Sequence, residues 1–204
     1  MARMSADERR AKLTEAAIRV MTRDGVAKAT TRAIAAEAAM PLGVFHYAFR
    51  SKQELMALVT ETIARRSKAE IDAAVLSGGG PDLEELVLGG LSAYFDHVVA
   101  HPEEHLVTYE LTTAALRDEE LIEVADRQYH YYLEENEQLL QAVADLMGFD
   151  YVVPVPVLSR YVFSLMDGLA LNWLAKGDEE EARQVLALIA HTLLGMTKPR
   201  EGTT

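Results

Sequence analysis

The chain has 204 residues, half of them apolar, no cysteine and a formal net charge of −12. This composition excludes an intrinsically disordered chain, a disulfide-stapled scaffold and thiolate chemistry, and no apolar run is long enough to span a bilayer. The opening MARMSADERRAKL carries charges with no apolar secretory core behind them, so the chain reads as soluble and cytoplasmic, with no membrane partner.

The net charge conceals a division. Residues 1–68 hold 13 Lys/Arg against 7 Asp/Glu, a net of +6, whereas residues 69–204 hold 7 against 25, a net of −18. A polyanionic partner is therefore expected at the N-terminal end alone.

Taken in chain order, Ser5-Ala-Asp-Glu8 has capping-box spacing, and Leu13, Ala16, Ala17, Val20 and Met21 recur at helical period until Gly25, which predicts a helix over 6–24. Thr30 or Thr31 caps a second helix whose buried face is Ile34, Ala35 and Ala38. Pro41 cannot continue that helix but suits the first turn of a new one, so Leu42 to Phe49 reads as a short third helix. Ser51-Lys-Gln-Glu54 is a second capping box, opening a long helix that reaches about Val75.

Ser77-Gly-Gly-Gly-Pro81 is a break, after which helices are expected from Pro81 to about His101, 103–116, 118–147, 156–176 and 178–196. Gly148 to Val155 reads as a loop broken by Pro154 and Pro156. With no strand pattern, repeat or low-complexity tract, the class is all-α, about nine helices in total.

Thr30 to Phe49 has the form of a helix-turn-helix, a supporting helix followed by a tight turn and a second helix placed to enter a major groove. Small helical hairpins are common as packing devices. The basic charge confined to the same segment argues for nucleic acid.

The stretch from Arg10 to Leu55 also resembles the N-terminal domain of the tetracycline-repressor (TetR) family of bacterial transcription regulators. The likeness is carried by Ala16-Ala17, Gly25, Thr30-Thr31, Ile34-Ala35, Gly43, Phe49 and Ser51-Lys52 with Leu55, about a quarter of the chain. The resemblance implies a three-helix DNA-binding domain at 1–50, a larger helical ligand-binding and dimerisation domain at 51–204, a homodimer, a double-stranded operator and a small-molecule effector. It implies that Arg32 and the helix beginning Leu42-Gly43-Val44 face base edges, while Thr31, His46, Tyr47 and Lys52 hold phosphates; Thr30 and Pro41, at the two helix starts, complete the DNA-binding set. The chemistry agrees: Arg32 can donate two hydrogen bonds to a guanine, Leu42 or Val44 can meet a thymine methyl, and Lys52 adds a cation to helix-end amides. Ala39 stands where the family commonly has Gly in the turn, Pro41 replaces a common Ser cap, His46 a common Tyr, and Ala48 a larger residue. Ala39 is expected to take a less strained turn, and Phe45 and Phe49 to lie in the core.

The C-terminal part is dense in aromatic residues: Tyr94, Phe95, Tyr109, Tyr129, Tyr131, Tyr132, Tyr161, Phe163 and Trp173. Packing accounts for most of them one by one. Together with Met166, Asp167 and Asn172, the subset Phe95, Tyr109, Tyr129, Tyr132, Phe163 and Trp173 forms a candidate effector pocket, apolar with a few polar anchors. The acidic surroundings favour a cationic or neutral effector over an anion.

The last two helices carry more apolar surface than one buried face needs, so Leu169, Val185, Leu188, Ile189 and Leu193 are candidates for a dimer interface, which the resemblance builds from four helices. His97, His101 and His105 have ligand-like spacing, but Pro102 interrupts their helix, and capping or surface roles are expected with no metal and no cofactor. Enzyme readings fare poorly: Gly78-Gly79-Gly80 lacks the Lys-Ser/Thr of a phosphate loop, and no Ser or His sits in a nucleophile elbow. The reading is a ligand-responsive DNA-binding regulator, a repressor released from a palindromic operator. The alternatives are a constitutive helix-turn-helix protein without effector, or a helical binding protein or enzyme with a vestigial DNA-binding module.

Overall fold

A computed structural model describes residues 4–77, 82–119 and 121–200. The expected break at Gly78, Gly79, Gly80 and Pro81, including the glycine run compared with a phosphate loop, lies outside the described residues. The elements are α1 (Ala6–Asp24), a 3-10 turn (Val26–Lys28), α2 (Thr31–Glu37), α3 (Leu42–Ala48), α4 (Lys52–Ser77), α5 (Leu83–Ala100), α6 (Pro102–Ala115), α7 (Ile122–Met147), β1 (Phe149–Tyr151), α8 (Val155–Lys176), α9 (Glu179–Leu194) and β2 (Thr197–Pro199). No described helix is long and apolar enough to cross a membrane.

The chain divides into two compact units, one made of residues 1–65 and 101–129, the other of 66–100 and 130–204. In the first, α1 starts as its sequence dictates: the Ser5 hydroxyl accepts from Glu8 N and the Glu8 carboxylate accepts from Ser5 N, closing the capping box. It stops at Gly25, whose φ of 85° favours glycine and whose N–H donates to Met21 O at 2.8 Å. Leu13, Ala16, Ala17, Val20 and Met21 pack with Ile34, Phe45, Phe49, Leu55, Val59 and Ile63. Val107 and Leu111 of α6 and Val124 of α7 join the same core, and the Glu110 carboxylate accepts from Val26 N at 2.7 Å. The three N-terminal helices therefore do not close a core by themselves.

In the second unit, Phe95, Leu158, Val162, Met166, Leu186, Ile189 and Leu193 form one cluster, and Leu86, Val143, Ala144 and Phe149 another. Buried Ser159 on α8 donates to Leu133 O at 2.9 Å and accepts from Asn136 Nδ2 at 3.3 Å, so α7 and α8 are pinned by polar groups that satisfy one another.

The expected loop at 148–155 and the expected absence of strands need correcting. Phe149–Tyr151 pairs antiparallel with Thr197–Pro199, Asp150 opposite Lys198. Arg200 closes this ribbon by donating to Asp150 at 3.1 Å, Asp145 at 2.8 Å and the Phe149 carbonyl at 3.1 Å. Three-residue strands are too short for alternation to be visible in sequence, and the molecule remains all-α in class. Helix α7 begins at Ile122, not Asp118, because the chain first turns with Leu121 N donating to Asp118 O. Helix α3 starts at Leu42 as expected, with Pro41 as its N-cap, and ends one residue earlier than expected because Phe49 is its extended C-cap.

Candidate functional site

The turn between α2 and α3 decides how α3 is presented. Thr30 caps α2 by accepting from Ala33 N at 3.1 Å. At the other end Ala39 N donates to Ala36 O at 3.0 Å and Met40 N to Ala35 O at 2.9 Å, the pair of bonds of a Schellman turn. That motif needs a left-handed residue, and Ala39 supplies it with φ of 53°, the one non-glycine residue at positive φ among those described. The expectation of a less strained turn at Ala39 is therefore wrong: the geometry usual for glycine is kept, at a cost of roughly 1–2 kcal/mol from the Cβ.

Phe45 and Phe49 are buried, with centroids 5.6 Å apart, and anchor α3 from below. Its outer face carries exposed Pro41, Leu42, Gly43, His46 and Tyr47, the last with 93 % of its surface open, while Val44 is half-buried against the core. Thr30 and Arg32 are exposed at the start of α2, Thr31 is half-buried there, and Lys52 is half-buried at the start of α4. The nearby arginines are sorted into two groups. Arg10 donates to Ala48 O and Glu54 Oε1 and lies over the Phe49 ring at 4.6 Å, tying the end of α3 to the start of α4. Arg19 and Arg23 both grip Glu37, at 2.9 and 3.0 Å. Among the described residues, Arg32 and Lys52 enter no ion pair.

The clamped carboxylates are stabilised as anions. Hydrogen bonds from Arg19 and then Arg23 hold Glu37 below its ordinary carboxylate value, and the Arg50 N–H, then Arg10, do the same for Glu54. The Ser51–Glu54 capping box is only half formed: Ser51 accepts from Glu54 N at 3.1 Å, but the Glu54 carboxylate reaches Arg50 N at 2.7 Å. Sequence spacing identified the cap but could not see Arg10 arriving from α1.

The candidate pocket residues separate. Tyr109 and Tyr129 belong to the first unit, the others to the second. Phe95 is fully buried and meets Trp173 edge-on at 5.8 Å; Met166 is buried beside it in the same core. Tyr132 stacks on Phe163 at 5.5 Å, and both, like Asp167, are half-buried. Asn172 is exposed, donates to Gly168 O at 2.9 Å and, with Trp173, faces a groove between α8 and α9.

That groove, of about 340 Å³, also collects Leu169, Val185, Leu188 and Ile189. Leu169 and Ile189 are buried within the protomer, as is Leu193, which does not line the groove. Val185, Leu188 and Tyr161 remain exposed, Leu188 by 64 %.

The surface role expected for the histidines fails for two of them. His97 and His105 are buried, His97 with Nδ1 3.0 Å from a Glu70 oxygen, because both fall on the inner faces of α5 and α6. His101 is exposed at the N-cap of α6, where its carbonyl, not its ring, accepts from Glu104 N and His105 N.

Comparison with known proteins agrees with this arrangement. Residues 13–59 match the bacterial regulatory proteins of the tetR family, and residues 82–195 the tetracyclin repressor-like C-terminal domain. Over 173 residues the chain is 28 % identical to HdnoR of Paenarthrobacter nicotinovorans, an HTH-type nicotine-responsive transcriptional repressor, covering 85 % of this chain and 87 % of that protein. It is also 28 % identical to the HTH-type regulator YfiR of Bacillus subtilis, covering 86 and 84 % of the two chains. Among solved structures it is similar to the multidrug binding protein EbrR complexed with imidazole, at 29 % identity, a TM-score of 0.66 and 89 % coverage of each chain. A transcriptional regulator from Rhodococcus sp. Rha1 shares the fold at 19 % identity and a TM-score of 0.72, covering 92 and 97 %. With an N-terminal and a C-terminal family domain in order on one predominantly helical chain, this protein belongs to the TetR family of DNA-binding transcriptional regulators.

Proposed function

We propose that the chain acts as a ligand-responsive homodimeric repressor in the cytoplasm, residues 1–50 of each protomer binding DNA and residues 51–204 binding the effector and the partner copy. Without effector the two heads stand roughly 34–36 Å apart, one turn of the double helix, and match a palindromic operator. An effector favouring another separation shifts the population off DNA with a coupling of about 1–3 kcal/mol, and α4, which runs from one unit into the other, is the lever.

The observation that carries this reading is the sorting of charge around α3. Arg10, Arg19 and Arg23 are spent on Glu54 and Glu37, whereas Arg32 and Lys52 stay uncommitted beside the open face of Leu42, His46 and Tyr47. Arg32, Leu42, Gly43 and Val44 are assigned to base edges, and Thr30, Thr31, Pro41, His46, Tyr47 and Lys52 to the phosphate backbone. Because helix α3 offers few polar side chains, shape readout supplies part of the specificity. The uncovered α8–α9 face is assigned to the second copy, with Val185 and Leu188 in direct contact and Leu169, Ile189 and Leu193 supporting them from inside. The stated response of HdnoR to nicotine and the stated multidrug binding of EbrR support an effector pocket, which we assign to Phe95, Tyr132, Phe163, Met166 and Asp167, with Tyr109, Tyr129, Asn172 and Trp173 as the remaining candidates. No catalytic role is assigned.

The test is selection of bound fragments from a random DNA library, followed by titration of the selected fragment against salt. A two-fold symmetric fragment with a steep salt slope is expected. A folded dimer that enriches no sequence would overturn the reading.

A further inference from the structure

The aromatic residues of the second unit are not evenly enclosed. Phe95 on α5 and Val162 and Met166 on α8 are buried in one core with Tyr94 packed against it, while Tyr132, Phe163 and Asp167 are half-buried. Tyr94, Tyr132, Phe163 and Asp167 come from three helices. Phe163 and Asp167 are one turn apart on the same face of α8, and Tyr132 of α7 stacks on Phe163 with planes 25° from parallel. On α5 burial, then the field of the nearby Asp167 carboxylate, and last Tyr132, push the Tyr94 phenol well above its ordinary range.

We propose that Asp167, flanked by Tyr94, Tyr132 and Phe163, seats an organic cation: an ammonium or pyridinium-type nitrogen carried on a small apolar body. This deepens the reading of the second unit as an effector domain and rests on it. The electron-rich faces of the Tyr132–Phe163 stack attract a cation, and Asp167 on the adjoining turn supplies its counter-charge. Met166 extends the apolar wall with a polarizable sulfur. An anionic effector would meet Asp167 and the net −18 of residues 69–204.

Equilibrium dialysis of the purified full-length protein, without DNA, tests this with benzyltrimethylammonium and its uncharged isostere neopentylbenzene. The cation should bind at least roughly tenfold more tightly than the isostere. Asp167→Asn should erase that preference, and Asp167→Glu should restore part of it. Equal affinities in the natural protein, no binding of the cation, or an unchanged preference in Asp167→Asn would each overturn the proposal. The isostere comparison needs no variant, so it decides the matter even where Asp167→Asn fails to fold. If an operator is selected and the cation fails to bind, only the ligand class is wrong; if the cation binds and no operator is selected, the regulator reading fails and this site stands.

Discussion

The α3 face of the first unit and the α8–α9 face of the second are both unfinished surfaces, and they are unfinished in opposite ways. Around α3, Phe45 and Phe49 are withdrawn into the core, and the outer face leaves Arg32 and Lys52 without ion pairs among the described residues, near exposed Leu42 and Tyr47. On α9 the Arg183 charge is paired, with Glu179 one turn away and Asp96 of α5, and hydrocarbon is left outside at Tyr161, Val185 and Leu188. An exposed cation costs little in water and gains when it meets a phosphate; an exposed leucine gains only when another apolar surface covers it. The first surface fits a polyanion and the second a copy of itself.

The largest effect should come from giving the second face a charge. Leu188→Asp removes an exposed side chain and leaves the protomer core alone, so the protomer's melting should hardly change while the dimer dissociates, seen by analytical ultracentrifugation as a fall in apparent mass and a loss of operator binding. A variant that stays dimeric would assign the apolar face to another occupant.

On the first face, Arg32→Ala should weaken the selected operator by about 1–3 kcal/mol with little effect on bulk DNA, whereas Lys52→Ala should weaken both and lower the salt slope by about 1. Identical behaviour of the two variants in a binding titration would remove Arg32 from base reading. Glu110→Ala leaves the buried Val26 N–H without its acceptor and should cost about 1–3 kcal/mol in urea unfolding, showing that the head depends on α6 for its fold.

Ala39→Gly should act in the opposite direction. Relief of the left-handed alanine, less the greater freedom glycine gives the unfolded chain, leaves a stabilisation of up to about 1 kcal/mol in the same assay. The smallest effect is that of pH. Glu37 and Glu54 are held below their ordinary value of 4.5, so their contribution is fully present above that pH and lost as pH falls through the lowered values. Glu54→Gln should flatten the acid side of a plot of melting temperature against pH, and an unchanged slope would show that the Arg10 clamp contributes nothing to stability.

Helix existence was legible almost throughout because it rests on local rules. The Ser5 capping box, the Gly25 stop and the 3.6-residue recurrence of Leu13, Ala16, Ala17 and Val20 act within a few residues of one another. The helix-turn-helix segment from Thr30 to Phe49 was legible for the same reason, since it is short and contiguous. What could not be read depends on groups distant in sequence. The β1–β2 pairing joins residues about fifty apart, and Arg10 reaches Glu54 from 44 positions away. Neither leaves a local signature.

The aromatic residues show the same limit. Sequence identified rings and a carboxylate, but only packing separated enclosed Phe95 and Met166 from half-open Tyr132, Phe163 and Asp167, and moved Asn172 and Trp173 to the α8–α9 groove. The sequence by itself determined the helices, their caps, the basic head and the acidic remainder, because propensity, capping and charge are properties of neighbouring residues. The tertiary structure decided that α6 and α7 complete the core of the head, that Ala39 takes the strained turn and that the arginines divide into clamped and open ones. Each of those outcomes depends on groups distant in sequence that meet only when the whole chain packs.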